Sequence, residues 1–195
     1  MSDRHEQPAT TAIRAGRDAS GSALAPALWA SSVWETTCFD DAHRRATGLR
    51  SDEFYGRYAN PTVRSFEQAI AELEGGGDDD VDAMAFGSGM GAIATTVLAL
   101  CSAGDHIVAA RQLYAGTLAF LQGPCRRFGI DLTVVDATEP GAMAAAVQPG
   151  RTTLVIAETP SNPLLELVDL DELGGIMGPF TVVDSTFATP LGQRP

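Results

Sequence analysis

Five short apolar runs recur through the latter part of the chain, and a helix-length stretch lies between each pair. The runs are DAMAF (Asp82–Phe86), HIVAA (His106–Ala110), DLTVVD (Asp131–Asp136), TTLVIAE (Thr152–Glu158) and FTVVD (Phe180–Asp184). Helix-like stretches occupy Met90–Leu100, Gly116–Phe128, Gly141–Val147 and Asp169–Met177. Strands that alternate with helices fold through right-handed crossovers into a parallel sheet covered on both faces. The fold class is therefore α/β. In such sheets, ligands sit beyond the carboxyl ends of the strands. The residues that follow each strand are the ones to inspect for function.

The preceding sequence is less regular. Residues 1 to about 50 are rich in Pro, Gly, Ser and Thr with weak periodicity, and read as an arm; SSVWETTCF (Ser31–Phe39) suits a short extended piece. From Thr62 a helix is predicted, with Val63, Phe66, Ala69, Ile70 and Leu73 at helical spacing and Gly75–Gly77 at its end. The DDDVD segment that follows reads as a solvated loop, and no ligand cluster accompanies it to make a metal site.

Charge excludes some functions. With 13 basic and 25 acidic residues the net charge is −12, which argues against nucleic acid or an anionic membrane as partner. No apolar run approaches the length of a bilayer span, and the first residues lack a secretory core. Three cysteines with no CxxC pair suit a cytoplasmic protein with reduced thiols. All 13 basic residues are arginine; the sequence has no lysine.

Four of the strand ends carry chemistry. Gly87–Ile93 (GSGMGAI) can bring backbone N–H groups to an anion at a helix start, or can be a tight turn that needs small residues. Read as a dinucleotide fingerprint it lacks the acid expected at the end of the next strand. Tyr114 follows HIVAA and can stack on a planar ligand or cap the core. Asn162, between two prolines, can donate to a ligand oxygen or form an Asx turn. Asp184 ends an apolar strand, where a carboxylate needs a partner: an arginine, a backbone N–H or a protonated ring nitrogen. A phosphorylated pyridine uses all four groups at once, with the acid keeping the ring nitrogen protonated.

At these residues the sequence resembles the Cys/Met-metabolism (trans-sulfuration) family of pyridoxal 5′-phosphate (PLP) enzymes. That family includes cystathionine γ-synthase, cystathionine γ-lyase, methionine γ-lyase and O-acetylhomoserine sulfhydrylase. The shared motifs are YGRYANPT (Tyr55–Thr62), SGMGAI (Ser88–Ile93), LYAGT (Leu113–Thr117), ETPSNP (Glu158–Pro163) and VVDSTFATP (Val182–Pro190), in the family's order and spacing.

The resemblance implies the incomplete large domain of a fold-type I PLP-dependent transferase. Residues 1–50 would be its arm and 51–195 a partial PLP-binding domain. It places Ser88, Gly89 and Met90 at the cofactor phosphate, and Tyr55 and Arg57 at the phosphate of a neighbouring subunit. Tyr114 would stack on the ring and assist the leaving group, Asn162 would bond the ring hydroxyl, Asp184 the ring nitrogen, and Thr186 would pack beside the ring. Tyr114 and Asp184 are thus the catalytic candidates. Family members are homotetramers built from dimers, and act on small sulfur amino acids or acylated homoserines by elimination or replacement.

Three departures stand out. Ser185 replaces the family's usual Asn. Gly116 stands where methionine γ-lyases of the usual pattern carry Cys. The Ser-x-Thr-Lys motif, whose lysine forms the Schiff base, lies beyond Pro195 in the family. The sequence is therefore expected to be the N-terminal portion of such an enzyme, inactive without that lysine. The alternative is a non-catalytic family protein that binds a partner or a phosphorylated ligand.

Overall fold

A computed structural model describes residues 7–17, 23–48, 51, 53–75 and 81–195. The chain divides into two compact units, Met1–Ala85 and Phe86–Pro195.

The first unit contains α1 (Pro8–Arg14), α2 (Phe39–Thr47) and α3 (Pro61–Gly75). Asn60, Pro61 and Thr62 knot the start of α3 to the extended arm. The Asn60 side chain accepts from Thr62 N–H at 2.9 Å and donates to the Trp29 carbonyl at 3.0 Å. Thr62 Oγ1 accepts from Trp29 N–H and donates to the Ala27 carbonyl. At Gly16, which ends the turn after α1 with φ of +70°, a Cβ would lie 2.0 Å from the Ser65 carbonyl oxygen of α3, so only glycine allows this approach.

The arm is more regular than the sequence suggests. Helix α2 carries Asp40 and Asp41 in its first turn and Arg44 and Arg45 in its last, the polarity a helix dipole favours. Asp41 is buried, accepts from Thr37 N–H and pairs with both arginines. Those bonds, Arg45 first, hold its carboxyl well below the usual range. The apolar stripe expected on α3 is only partly covered: Val63 and Phe66 are exposed, while Glu67 is buried and paired with Arg64.

DAMAF is not a strand. Residues 81–86 join no sheet. Instead the Ala85 N–H goes to the Glu67 carboxylate at 2.8 Å and the Ala83 N–H to Asp82. With main-chain donors taken by side chains and no neighbouring strand among the described residues, an extended segment forms no ladder. Helix α3 ends at Gly75, the first of the three glycines predicted to stop it; Gly76, Gly77 and most of DDDVD lie outside the described residues.

The second unit is a four-stranded sheet, β1 (His106–Ala110), β2 (Asp131–Val135), β3 (Thr152–Glu158) and β4 (Phe180–Asp184), in the order β2-β1-β3-β4 with every pair parallel. The central strands β1 and β3 are almost wholly buried, which explains their continuous apolar composition. Five further helices precede, connect or follow the strands: α4 (Gly89–Leu100), α5 (Ala115–Phe120), α6 (Ala142–Ala145), α7 (Leu170–Gly174) and α8 (Thr189–Gly192). Ile93, Val97 and Leu100 of α4, at helical spacing, pack on the core with Ile107, Leu154 and Ile156. The predicted helix over 116–128 is divided. After α5 the chain widens into a π turn at Leu121–Cys125, because Pro124 has no N–H to continue an α-helical ladder.

His106 opens β1 at the amino end of the sheet, fully buried between Thr133 of β2 and Thr152 of β3, each 2.8 Å from a ring nitrogen. A neutral imidazole has one donor and one acceptor, so one hydroxyl accepts and the other donates. Burial foremost, with nearby Arg151, lowers its pKa from 6.5, while Asp131 opposes that shift. The unfolded chain therefore binds a proton more readily than the folded one. Stability is full above the unfolded value and declines as pH falls below about 6.5 toward the lower folded value. Denaturant unfolding measured from about pH 8 to about pH 5 is expected to show this slope, and His106→Gln is expected to flatten it.

Candidate functional site

The strand order changes direction at β1: β2 flanks it on one side and β3 on the other. Loops leaving β1 and β3 diverge there, and open α/β sheets hold their ligands in that crevice. On the β2 side the loops are tied shut. Arg111 and Gln112, just after β1, both bond the Asp136 carboxylate, and Gln112 Oε1 also accepts from Ala137 N–H. Thr138 and Gln112 are the main causes that lower the Asp136 carboxyl to about 2. On the β3 side, a buried carboxylate, Glu158, links the two loops.

Helix α4 begins beside this edge. Ser88, in extended conformation, caps it by accepting from Gly91 N–H at 3.0 Å. The Gly89 and Met90 N–H groups precede the first intrahelical bond and have no acceptor among the described residues. A Cβ at Gly87 or Gly89 would meet nothing within 4 Å, so the start of α4 borders open space. The positive end of a 12-residue helix faces that space.

Tyr114 directly precedes α5 and is 46% exposed. A Cβ on Gly116 would lie 2.5 Å from Tyr114 Cε1 and 3.3 Å from Met90 Sδ. The glycine therefore makes room for the tyrosine ring and brings α5 close to the start of α4. Thr117 Oγ1 also reaches Met90 Sδ, at 3.6 Å.

Asn162 lies between Pro160 and Pro163, both preceded by cis peptide bonds. Its N–H donates to Glu158 at 3.0 Å, while its exposed side-chain amide has no partner among the described residues. Asp184 is the register partner of Glu158 on the adjacent strand. One Asp184 oxygen, Oδ1, accepts from both the N–H and the hydroxyl of Thr186; the other is unoccupied among the described residues. Ser185 and the Thr159 carbonyl are bridged by the Gln193 side chain at 3.0 and 2.9 Å, which holds the loop after β4 against the loop after β3.

The second unit thus gathers Ser88, Gly89, Met90, Tyr114, Asn162, Asp184 and Thr186 at the carboxyl edge of one sheet. Tyr55 and Arg57 belong to the first unit. There Tyr55 bridges Val33 in antiparallel fashion, and the Arg57 guanidinium lies 4.9 Å from the Tyr55 ring centroid and 5.7 Å from that of Tyr58. Glu158 was missed in the sequence reading, although it ends an apolar strand as Asp184 does. Among the described residues no cluster of three metal-ligating side chains occurs, and no helix is long and apolar enough to cross a membrane.

Residues 9–195 match the family model described as Cys/Met metabolism PLP-dependent enzyme. The chain is 39% identical over 190 residues to an O-succinylhomoserine sulfhydrylase of Pseudomonas aeruginosa, covering 95% of this chain and 46% of that protein. It is 36% identical over 193 residues to an L-methionine gamma-lyase of Porphyromonas gingivalis, covering 96% and 47%. Its fold is similar to the crystal structure of metB from Corynebacterium glutamicum, with a TM-score of 0.82, 29% identity, and coverage of 97% of this chain and 48% of that one. The chain spans about half the length of the relatives it matches. It belongs to the Cys/Met metabolism family of PLP-dependent enzymes.

Proposed function

We propose that these residues form the cofactor-binding part of a PLP enzyme that acts on sulfur amino acids or acylated homoserines, by β/γ-elimination or γ-replacement at a C–S or activated C–O bond. The observation that carries this reading is the free second oxygen of Asp184 on the same sheet edge as the acceptor-less Gly89 and Met90 N–H groups.

The donor set fits the cofactor. Gly89 and Met90 N–H, at the positive end of α4, suit its phosphate, with Ser88 fixing the turn. The exposed Tyr114 ring offers a stacking face, and the unpartnered Asn162 amide a donor for the ring hydroxyl. Asp184, oriented by Thr186, holds a proton on the ring nitrogen with its free oxygen. When bound, the protonated ring supplies an electron sink for charge developed at the substrate Cα. Tyr114 also carries a phenolic hydroxyl on an exposed side chain, suited to move a proton at the departing γ-substituent. These 195 residues contain no lysine, so their own contacts to the cofactor are noncovalent and they are inactive alone.

Relatives named for O-succinylhomoserine sulfhydrylation and methionine γ-elimination support the substrate class. Assembly as a homo-oligomer, a dimer of dimers in the whole protein, fits the apolar side chains that the first unit leaves exposed, among them Leu24, Leu28, Trp29, Val33 and Phe39. Tyr55 and Arg57 would then serve the phosphate of a neighbouring subunit. Three free cysteines fit a cytoplasmic setting.

Titration of the 195-residue chain with PLP is expected to give saturable binding, seen as induced circular dichroism of the pyridoxal chromophore. Loss of one charge-assisted bond predicts roughly ten- to hundredfold weaker binding for Asp184→Asn. Binding that never saturates, or that ignores this substitution, refutes the reading. Gly116→Ala is expected to displace the Tyr114 ring, read as shifted ring-proton resonances, and to weaken PLP by about tenfold through lost stacking. Unmoved Tyr114 resonances would show that the ring does not depend on that glycine.

A further inference from the structure

Glu158 ends β3 at 4% exposure, yet no cation pairs with it among the described residues. A carboxylate buried this deeply is costly unless its oxygens are satisfied. Both are, and by main chain from two different loops: Oε2 accepts from Tyr114 N–H, after β1, and Oε1 from Asn162 N–H, after β3, at 3.0 Å. These loops border the crevice at which the strand order reverses.

We propose that Glu158 is a positioning residue of the cofactor site: its carboxylate clamps the main chain of Tyr114 to that of Asn162 and so fixes the stacking ring and the amide donor relative to Asp184. The role rests on the cofactor reading above, but the clamp itself can be tested without ligand. Its geometry requires an acceptor at both oxygens. A glutamine keeps one acceptor and turns an NH2 group toward the other N–H, so the two arms separate.

The surroundings set how readily this carboxylate takes up a proton. Burial first, and the neighbouring Asp184 charge, raise the Glu158 pKa, while the two N–H bonds oppose that rise. Asp184 is its register partner on β4, and on the β1 side Tyr114 is the titratable neighbour. Protonation of Glu158 removes one acceptor and loosens the clamp. A folded pKa above the ordinary glutamate value places that loosening at higher pH than for a free side chain, and it is complete below the raised value.

The experiment follows the 1H–15N resonances of Tyr114 and Asn162 in the full 195-residue chain against pH, without cofactor. Both amides are expected to move together, with one midpoint above the ordinary glutamate value. Glu158→Gln is expected to shift both while leaving amides around His106 in place, and to weaken PLP by about tenfold although residue 158 does not touch the cofactor. Asp184→Asn is expected to lower the common midpoint without abolishing it. Separate midpoints, pH-independent amides, or a transition abolished by Asp184→Asn overturn the clamp. The wild-type titration decides this even if the glutamine variant does not fold. A common midpoint with no PLP binding instead overturns the cofactor reading, and with it the role assigned to the clamp.

Discussion

Parallel pairing of β1 with β3 is the constraint on which everything else depends. It points both carboxyl ends the same way, and because β2 lies on the far side of β1, the loops leaving β1 and β3 part. Short β-branched strands buried on both faces make this arrangement stable: Ile107, Val108, Leu154, Val155 and Ile156 are fully inaccessible. The crevice is thus a consequence of core packing, and the candidate site residues border an opening that the fold produces in any case.

Within that opening, charge is distributed unevenly. Helix α4 starts with two N–H donors that have no acceptor among the described residues, a positive pole made by main chain. Glu158 and Asp184 lie side by side on adjacent strands as the negative pole. Two neighbouring carboxylates are tolerated because their oxygens are engaged differently. Glu158 is fully saturated by main chain, whereas Asp184 keeps one oxygen free. A ligand with an anion at one end and a protonatable ring nitrogen at the other complements both poles. A dinucleotide would need an acid after β1, where the structure places Arg111 and Gln112, both already tied to Asp136.

Much of this was legible in the sequence, for physical reasons that differ from residue to residue. The central strands β1 and β3 were readable because burial on both faces demands continuous apolar runs, the partly buried β2 and β4 because they share the β-branched composition, and the strand ends located Tyr114, Asn162 and Asp184 directly. DAMAF has a similar composition but failed, since a strand also needs a neighbour, and Glu67 claims its Ala85 donor. Helix α2 was overlooked although its charges, Asp40 and Asp41 leading and Arg44 and Arg45 trailing, follow the dipole. Pro124 was a visible sign that the helix over 116–128 would be interrupted. Glu158 was within reach of the same desolvation argument applied to Asp184. Its role escaped because its partners are backbone groups 44 and 4 residues away, and sequence gives no sign of which main-chain donors converge.

The central claim is that the carboxyl edge of this sheet holds PLP with its phosphate at α4 and its ring nitrogen at Asp184. A crystal structure of the chain grown with PLP tests it most directly. The account expects the phosphate oxygens within hydrogen-bond reach of Gly89 and Met90 N–H, the ring against Tyr114, and the ring nitrogen on the free oxygen of Asp184. Cofactor seated elsewhere, or seated here with its ring nitrogen turned away from Asp184, would contradict it.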